Sequence, residues 1–173
     1  LEFRRVLFRS ADEAFPQQFM ASLQHYGFAA VTEHPLDAQR IHRIYRDWHQ
    51  FFASGQADDF EMDPLRQDGY FSLQQAEHAK GFTDRDFKEY FQFYPWGRCP
   101  ATLRDDLAAH FVAAVNLGAV LLNMIADRLP ETITHTISEP LGHMIQRSEQ
   151  SMLRVLHYPP VPAEDRKSTR LNS

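Results

Sequence analysis

A single cysteine, Cys99, stands in the 173-residue chain. One thiol excludes an intramolecular disulfide and a zinc site built from cysteines, and it fits a reducing, cytoplasmic setting. With Pro100 beside it and no thiolate-stabilising pattern around it, Cys99 reads as an ordinary small side chain. Basic charge is also scarce: 18 Lys and Arg against 23 Asp and Glu give a formal net charge of -5, which argues against a nucleic-acid surface. No uninterrupted apolar run approaches the roughly 18 residues needed to span a bilayer, so no membrane partner is expected. The chain lacks Gly-x-Gly-x-x-Gly, Gly-x-x-x-x-Gly-Lys-Ser/Thr and a nucleophile elbow. Their absence removes the local fingerprints of dinucleotide, P-loop and hydrolase chemistry. None of the nine histidines is followed two places later by Asp or Glu, and there is no His-Glu-x-x-His, so local spacing offers no metal site.

What is present describes a globular chain: 43% hydrophobic residues, 24% charged residues and 14 phenylalanines, in a length suited to one domain with one core. Residues 1–10 (LEFRRVLFRS) and 167–173 (KSTRLNS) are basic, match neither neighbouring pattern and resemble translated cloning tails, so they are set aside from the fold reading. Arg4, Arg5 and Arg9 precede no apolar segment or cleavage site of the secretory kind.

Within the body, Phe15, Phe19, Met20 and Leu23 recur at helical spacing, and Gly27 is placed to end a first helix over Phe15 to Tyr26. Phe28 to Val31 suits a short strand broken by His34-Pro35. Asp37 can cap a second helix whose stripe is Ile41, Ile44, Tyr45, Trp48, Phe51 and Phe52, up to Ser54-Gly55. His42 and His49 flank that stripe two turns apart, about 10 Å, too far to share one ion. The aromatics of this stripe and of residues 87–94 read as core. Gln56 to Gln67 is polar and aperiodic, which predicts a loop. Asp86 to Tyr94 is rich in aromatics and is expected to be extended, and Pro95 to Pro100 is a turn-rich connector. Leu103 to Leu129 holds the longest helical period, about 40 Å of helix ended by Pro130. Gly118 within it costs about 1 kcal/mol against Ala, tolerable where another element packs close. A further helix is expected from about Ser138 to Ser148.

Met152 to Pro160 reads as a buried strand with three polar groups, Arg154, His157 and Tyr158, halted by two prolines. A charge is rarely buried without a partner, so Arg154 among Leu153, Val155 and Leu156 implies either a buried ion pair or an anionic ligand.

Six motifs stand in order along this body: Gly27-Phe28-Ala29-Ala30-Val31; His34-Pro35-Leu36; Trp48-His49-Gln50-Phe51-Phe52; Gly69-Tyr70-Phe71; Asp86-Phe87-Lys88-Glu89-Tyr90-Phe91; and Leu153-Arg154-Val155-Leu156-His157-Tyr158-Pro159-Pro160. The series resembles the amino-terminal half of the iron(II)- and 2-oxoglutarate-dependent oxygenases of the isopenicillin N synthase-like superfamily. Arg-Val-Leu-x-aromatic-Pro-Pro also occurs in ethylene-forming members, whereas plant-type members carry Asn at the position of Leu156. The resemblance implies an α+β fold in which a helical amino-terminal region, residues 11–150, meets the start of a double-stranded β-helix, or jelly roll, at 151–166, truncated before its His-x-Asp…His triad. It implies Fe(II) and 2-oxoglutarate as cofactors of the whole enzyme, with a small-molecule substrate, and expects this chain alone to hold neither well. It assigns Arg154 and Tyr158 to the 2-oxoglutarate side of the pocket and Glu77 to a basic substrate. Four positions apart on one side of a strand, a guanidinium and a phenol can face one dianion. The alternatives are a core ion pair for Arg154, a packed, hydrogen-bonded ring for Tyr158 and a solvated surface carboxylate for Glu77. At the level of the whole chain, a non-catalytic helical interaction module and a metal-free pseudoenzyme are the other readings.

Overall fold

The computed structural model describes residues 7–9, 13–75 and 87–160. The fold is α+β. Its elements run β1 (Leu7–Arg9), α1 (Phe15–Tyr26), β2 (Ala30–Thr32), α2 (Ala38–Ala53), a 3-10 helix (Gln56–Phe60), β3 (Gly69–Phe71), β4 (Glu89–Phe93), α3 (Ala101–Ala126), α4 (Glu131–Thr134), α5 (Leu141–Gln146) and β5 (Leu153–His157). Two compact units result: one from residues up to 38 and 109–151, the other from 39–108 and 152 onward.

In the first unit, Pro16 sits in the opening turn of α1, where a missing N–H costs nothing, and Gly27 closes it with φ 78 and an N–H bond to the Leu23 carbonyl. Phe15 and Phe19 are the buried pair on its inner face, and Leu23, Ala29, Val31, Leu121, Met124 and Ile125 pack around them. The Ser22 hydroxyl donates to the Phe28 carbonyl at 2.8 Å, tying the helix to the entry of β2. That strand occupies Ala30–Thr32 rather than Phe28 to Val31, and it pairs in parallel with β1, which lies inside the segment set aside above. Gly118 faces the short α5: a Cβ there would stand 2.8 Å from Ile145 Cδ1. The Asn123 side chain accepts the Gly142 N–H at 3.1 Å, so α3 holds α5 at a close approach that only small residues allow. Here the expected helix from Ser138 to Ser148 shortens to Leu141–Gln146, and α4 appears where none was expected.

The helix α3 ends at Ala126, four residues before Pro130: the Asp127 N–H still bonds the Asn123 carbonyl, while Arg128 and Leu129 turn more tightly onto Ile125 and Ala126. Length and composition make it a candidate membrane span, with a mean hydropathy of 1.8 over its most apolar 18-residue stretch. Isolated polar residues such as Asn116 and Asn123 interrupt the apolar run without lowering its average much, a pattern that core helices share.

The second unit is α2 laid on a three-stranded antiparallel sheet in the order β3-β4-β5. Trp48 and Phe51 are buried on α2 and meet Phe91 with ring centroids 4.8 and 5.9 Å apart. Tyr45 departs from the expected stripe and is 71% exposed. Arg43 grips Asp106 with a two-pronged bond, 2.7 and 2.8 Å, joining α2 to the first turns of α3. Its guanidinium holds the Asp106 carboxyl below the ordinary range. Where a loop was expected over 56–67, the chain first makes a 3-10 helix and then a turn in which the Asp63 carboxylate accepts the Leu65 N–H at 2.8 Å. The strand β4 falls within the aromatic run as expected, at Glu89–Phe93. β5 is an edge strand and half-buried, not buried, with Leu156 46% exposed.

Candidate functional site

Alternation along β4 and β5 divides their side chains between two faces, and each face has its own polar network. On the face that meets α2, Glu89 stands opposite His157. His157 Nδ1 lies 2.7 Å from Glu89 Oε1, and Tyr70 donates its hydroxyl to the other carboxylate oxygen. A carboxylate only accepts, so Nδ1 carries the proton in this contact. Burial, reinforced by the bond to Glu89, pushes the Tyr70 phenol well above its ordinary pKa. The His157 ring stacks on Phe52 at 5.2 Å and meets His49 edge-on at 5.5 Å. His157 is therefore a half-buried group satisfied by a carboxylate and an aromatic ring.

The other face carries Arg154. Its register partner on β4 is Gln92, whose Oε1 accepts from Arg154 Nη2 at 2.5 Å. The guanidinium also lies over the Tyr90 ring, 4.6 Å from its centroid, and Tyr90 stacks in turn on Phe71 at 4.6 Å with 14° between planes. Phe71, Tyr90 and Arg154 thus form one stack of flat groups across all three strands. Arg154 was expected to need an acid or an anionic ligand. Two of its contacts are a neutral amide oxygen and an aromatic face, which help a cation keep partners while partly desolvated.

The turn before β3 anchors this arrangement. Asp68 is fully buried and accepts the Arg98 N–H at 2.6 Å, while the Arg66 and Arg98 side chains approach it at 3.8 and 3.7 Å. Gly69 follows with φ 105, and a Cβ there would stand 2.4 Å from the Phe60 carbonyl oxygen, so the strand can begin there only with glycine. The Gln67 carbonyl beside it accepts from Gln92 Nε2 at 2.6 Å.

Of the residues singled out from sequence, Arg154 is half-buried and Tyr158, one residue past β5, is 65% exposed. Because Tyr158 lies beyond the end of β5, strand alternation does not fix which face it takes. Glu77 lies outside the described residues. His42 and His49 are both exposed on α2, as surface histidines would be. Cys99 is half-buried, and burial pushes its thiol up to about 11. Gln92, Tyr90 and Glu89 were not singled out as site residues. Their partners on β5 are more than 60 residues away in sequence, and nothing local signals a cross-strand pair at that distance.

A bound iron calls for three convergent nitrogen and carboxylate ligands. Among the described residues no group of three or more His, Cys, Asp or Glu side chains could hold a metal ion. The donors on the Arg154 face do fit a carboxylate: a guanidinium offers paired N–H groups in its plane, and its flat side is already taken by Tyr90.

No curated protein matches the sequence. Among solved structures, a candidate oxygenase from Shewanella oneidensis superposes with a TM-score of 0.81 at 34% identity, over 91% of this chain and 56% of its own. A candidate 2OG-Fe(II) oxygenase family protein from Caulobacter crescentus matches in fold with a TM-score of 0.66 at 22% identity, over 90% of this chain and 56% of its own. The chain thus spans little more than half the length of these relatives. The family described as the non-haem dioxygenase in morphine synthesis N-terminal matches residues 2–109. By that match, and by the α+β architecture it shares with the Shewanella protein, the chain belongs to the amino-terminal domain family of the non-haem, 2-oxoglutarate-dependent iron oxygenases.

Proposed function

We propose that this chain is the amino-terminal region of an Fe(II)- and 2-oxoglutarate-dependent oxygenase acting on a small molecule, with Arg154 and Tyr158 on the cosubstrate side of its pocket. The observation that carries the site is the Arg154 guanidinium, stacked on Tyr90 and tethered to a neutral amide on the face of β5 away from α2. A cation so held supplies oriented donors to a carboxylate. Tyr158, exposed just past the end of the strand, adds a phenol. In such enzymes 2-oxoglutarate supplies the electrons for oxygen activation as it is decarboxylated to succinate. The chain's own residues bind and orient it. Hydroxylation, desaturation and ethylene formation are all compatible with this reading.

The iron ligands are sought in the part of these oxygenases that the chain does not span. Sequencing the gene through the region after Tyr158-Pro159-Pro160 tests this. A His-x-Asp soon after the strand, with a second His and an Arg-x-Ser later, is the expected result. A continuation without His-x-Asp would remove the chemical basis of the proposal.

A further inference from the structure

Between α2 and the edge of β5 runs an open groove of about 410 Å³, walled by Tyr45, Phe52, Val155 and Leu156, and His49 and His157 both line it. The two imidazoles come from different elements, and their ring centroids are 5.5 Å apart. A tetrahedral zinc with Zn–N bonds of about 2.0 to 2.1 Å sets the centroids of two ligating rings roughly 5.2 Å apart, so the pair already stands near ligation spacing. His157 is prepared for that role from behind. Its Nδ1 donates to Glu89 Oε1 at 2.7 Å, and Tyr70 donates to the second oxygen of the same carboxylate. With the proton on Nδ1, the lone pair of Nε2 is free to bind a cation. A carboxylate behind the ring is what fixes the tautomer and orientation of metal-ligating histidines. Phe52, stacked on the His157 ring at 5.2 Å, holds its plane. His49 is exposed on α2 and makes no hydrogen bond among the described residues, so its ring can turn to meet an ion. The nearby cation in the lining, Arg46, is paired with Asp47 at 2.7 Å, which offsets its charge.

We propose that His49 and His157 bind one divalent transition metal of the zinc type, clamping α2 to the edge of β5, with Glu89 as the positioning residue for His157. The proposal does not rest on the cosubstrate reading of Arg154. Two protein nitrogens leave the other positions of a tetrahedral ion to water, so the metal exchanges with solution. Zinc stands above iron(II) in affinity for such ligands, and the pair leaves Fe(II) in solution at concentrations that fill it with zinc. A metal held here ties the helix to a strand whose outer edge pairs with no other strand among the described residues. Binding the folded chain in this way raises its stability in proportion to the logarithm of zinc concentration.

The test titrates the 173-residue chain, labelled with 15N in its histidines, with Zn(II) alone. The ring resonances of His49 and His157 are expected to move together and to saturate at one zinc per chain, while Nδ1 of His157 keeps its proton. Zinc should also raise the melting temperature. His49→Ala changes an exposed helix position and is expected to leave the amide spectrum otherwise unchanged. It should weaken zinc binding about tenfold or more and remove the rise in melting temperature at the same zinc concentration. Glu89→Gln should weaken binding about tenfold, as loss of a carboxylate behind a ligating histidine does. His42→Ala, on the same helix but outside the groove lining, should bind zinc as the unsubstituted chain does. Unchanged affinity in His49→Ala, or shifts spread equally over His42 and the other histidines, overturns the proposal. Saturation only at millimolar zinc, the mark of single imidazoles binding adventitiously, overturns it as well.

Discussion

Burial sets the chemistry of single residues here. The Cys99 thiol is pushed up to about 11 from 9.0, chiefly by desolvation, with Arg104 only partly offsetting it. The folded state therefore holds the proton more tightly than the unfolded chain. The associated stability is complete below about pH 9 and is lost as the pH rises through about 11. Alkylation by iodoacetamide at pH 8 is expected to be more than about tenfold slower in the native protein than in urea. Equal rates would show that the thiol is open to solvent. Trp48 is a second case. It is 1% exposed and packed against Phe51 and Phe91, yet its indole N–H has no hydrogen-bond partner among the described residues. Trp48→Ala should cost about 3 to 5 kcal/mol in a denaturant titration, as a large cavity does. Trp48→Phe should cost less than half of that, because it keeps an aromatic ring and removes an unpaired, desolvated donor.

Between elements, the two polar pairs of the β4–β5 ladder act together. Glu89 opposite His157 and Gln92 opposite Arg154 share one antiparallel register while lying on opposite faces. A one-residue slip would separate both pairs and turn Phe91 away from α2, so pairing and packing select the same alignment. Glu89→Ala, which strands the Tyr70 hydroxyl and the His157 N–H, is expected to cost about 2 to 4 kcal/mol. Glu89→Gln, which keeps an acceptor, should cost about 1 kcal/mol. Equal losses in the two variants would show that the network contributes little. The outer edge of β5 pairs with no other strand among the described residues, and Leu156 is exposed on it. Such edges recruit other strands. Sedimentation is expected to show self-association that grows with concentration and weakens in Leu156→Lys. The helices were largely legible beforehand, because a 3.6-residue apolar period is local: α1 and α2 fall within a residue of their expected bounds. The strand β2 was expected but lies one to two residues later than its pattern suggested, and the 3-10 helix was read as loop, since three to five residues carry too little pattern to fix bounds or to separate a short helix from a loop.

For the whole molecule, belonging to the oxygenase family and performing oxygenase chemistry are distinct. Anaerobic titration of the 173-residue chain with Fe(II) and 2-oxoglutarate is expected to show no stoichiometric metal binding and no charge-transfer band. Tight binding would mean that ligands outside the described residues complete a site. The sequence alone determined the family, through six motifs in order, and with it the α+β class and the identity of Arg154 as a group needing a partner. It also determined where the long helices lie, because helical period and caps depend on near neighbours. Only the tertiary structure decided how Arg154 is satisfied. Gln92 and Tyr90 reach it across a strand pair closed over some 60 residues of chain, and cross-strand register emerges from packing rather than from local pattern. It likewise turned His157 from an unexplained polar group into the partner of Glu89, and left Tyr158 exposed beyond the strand end. Motif order is written along the chain and can be read there, whereas the orientation of a guanidinium is set by groups that meet only when the sheet has formed.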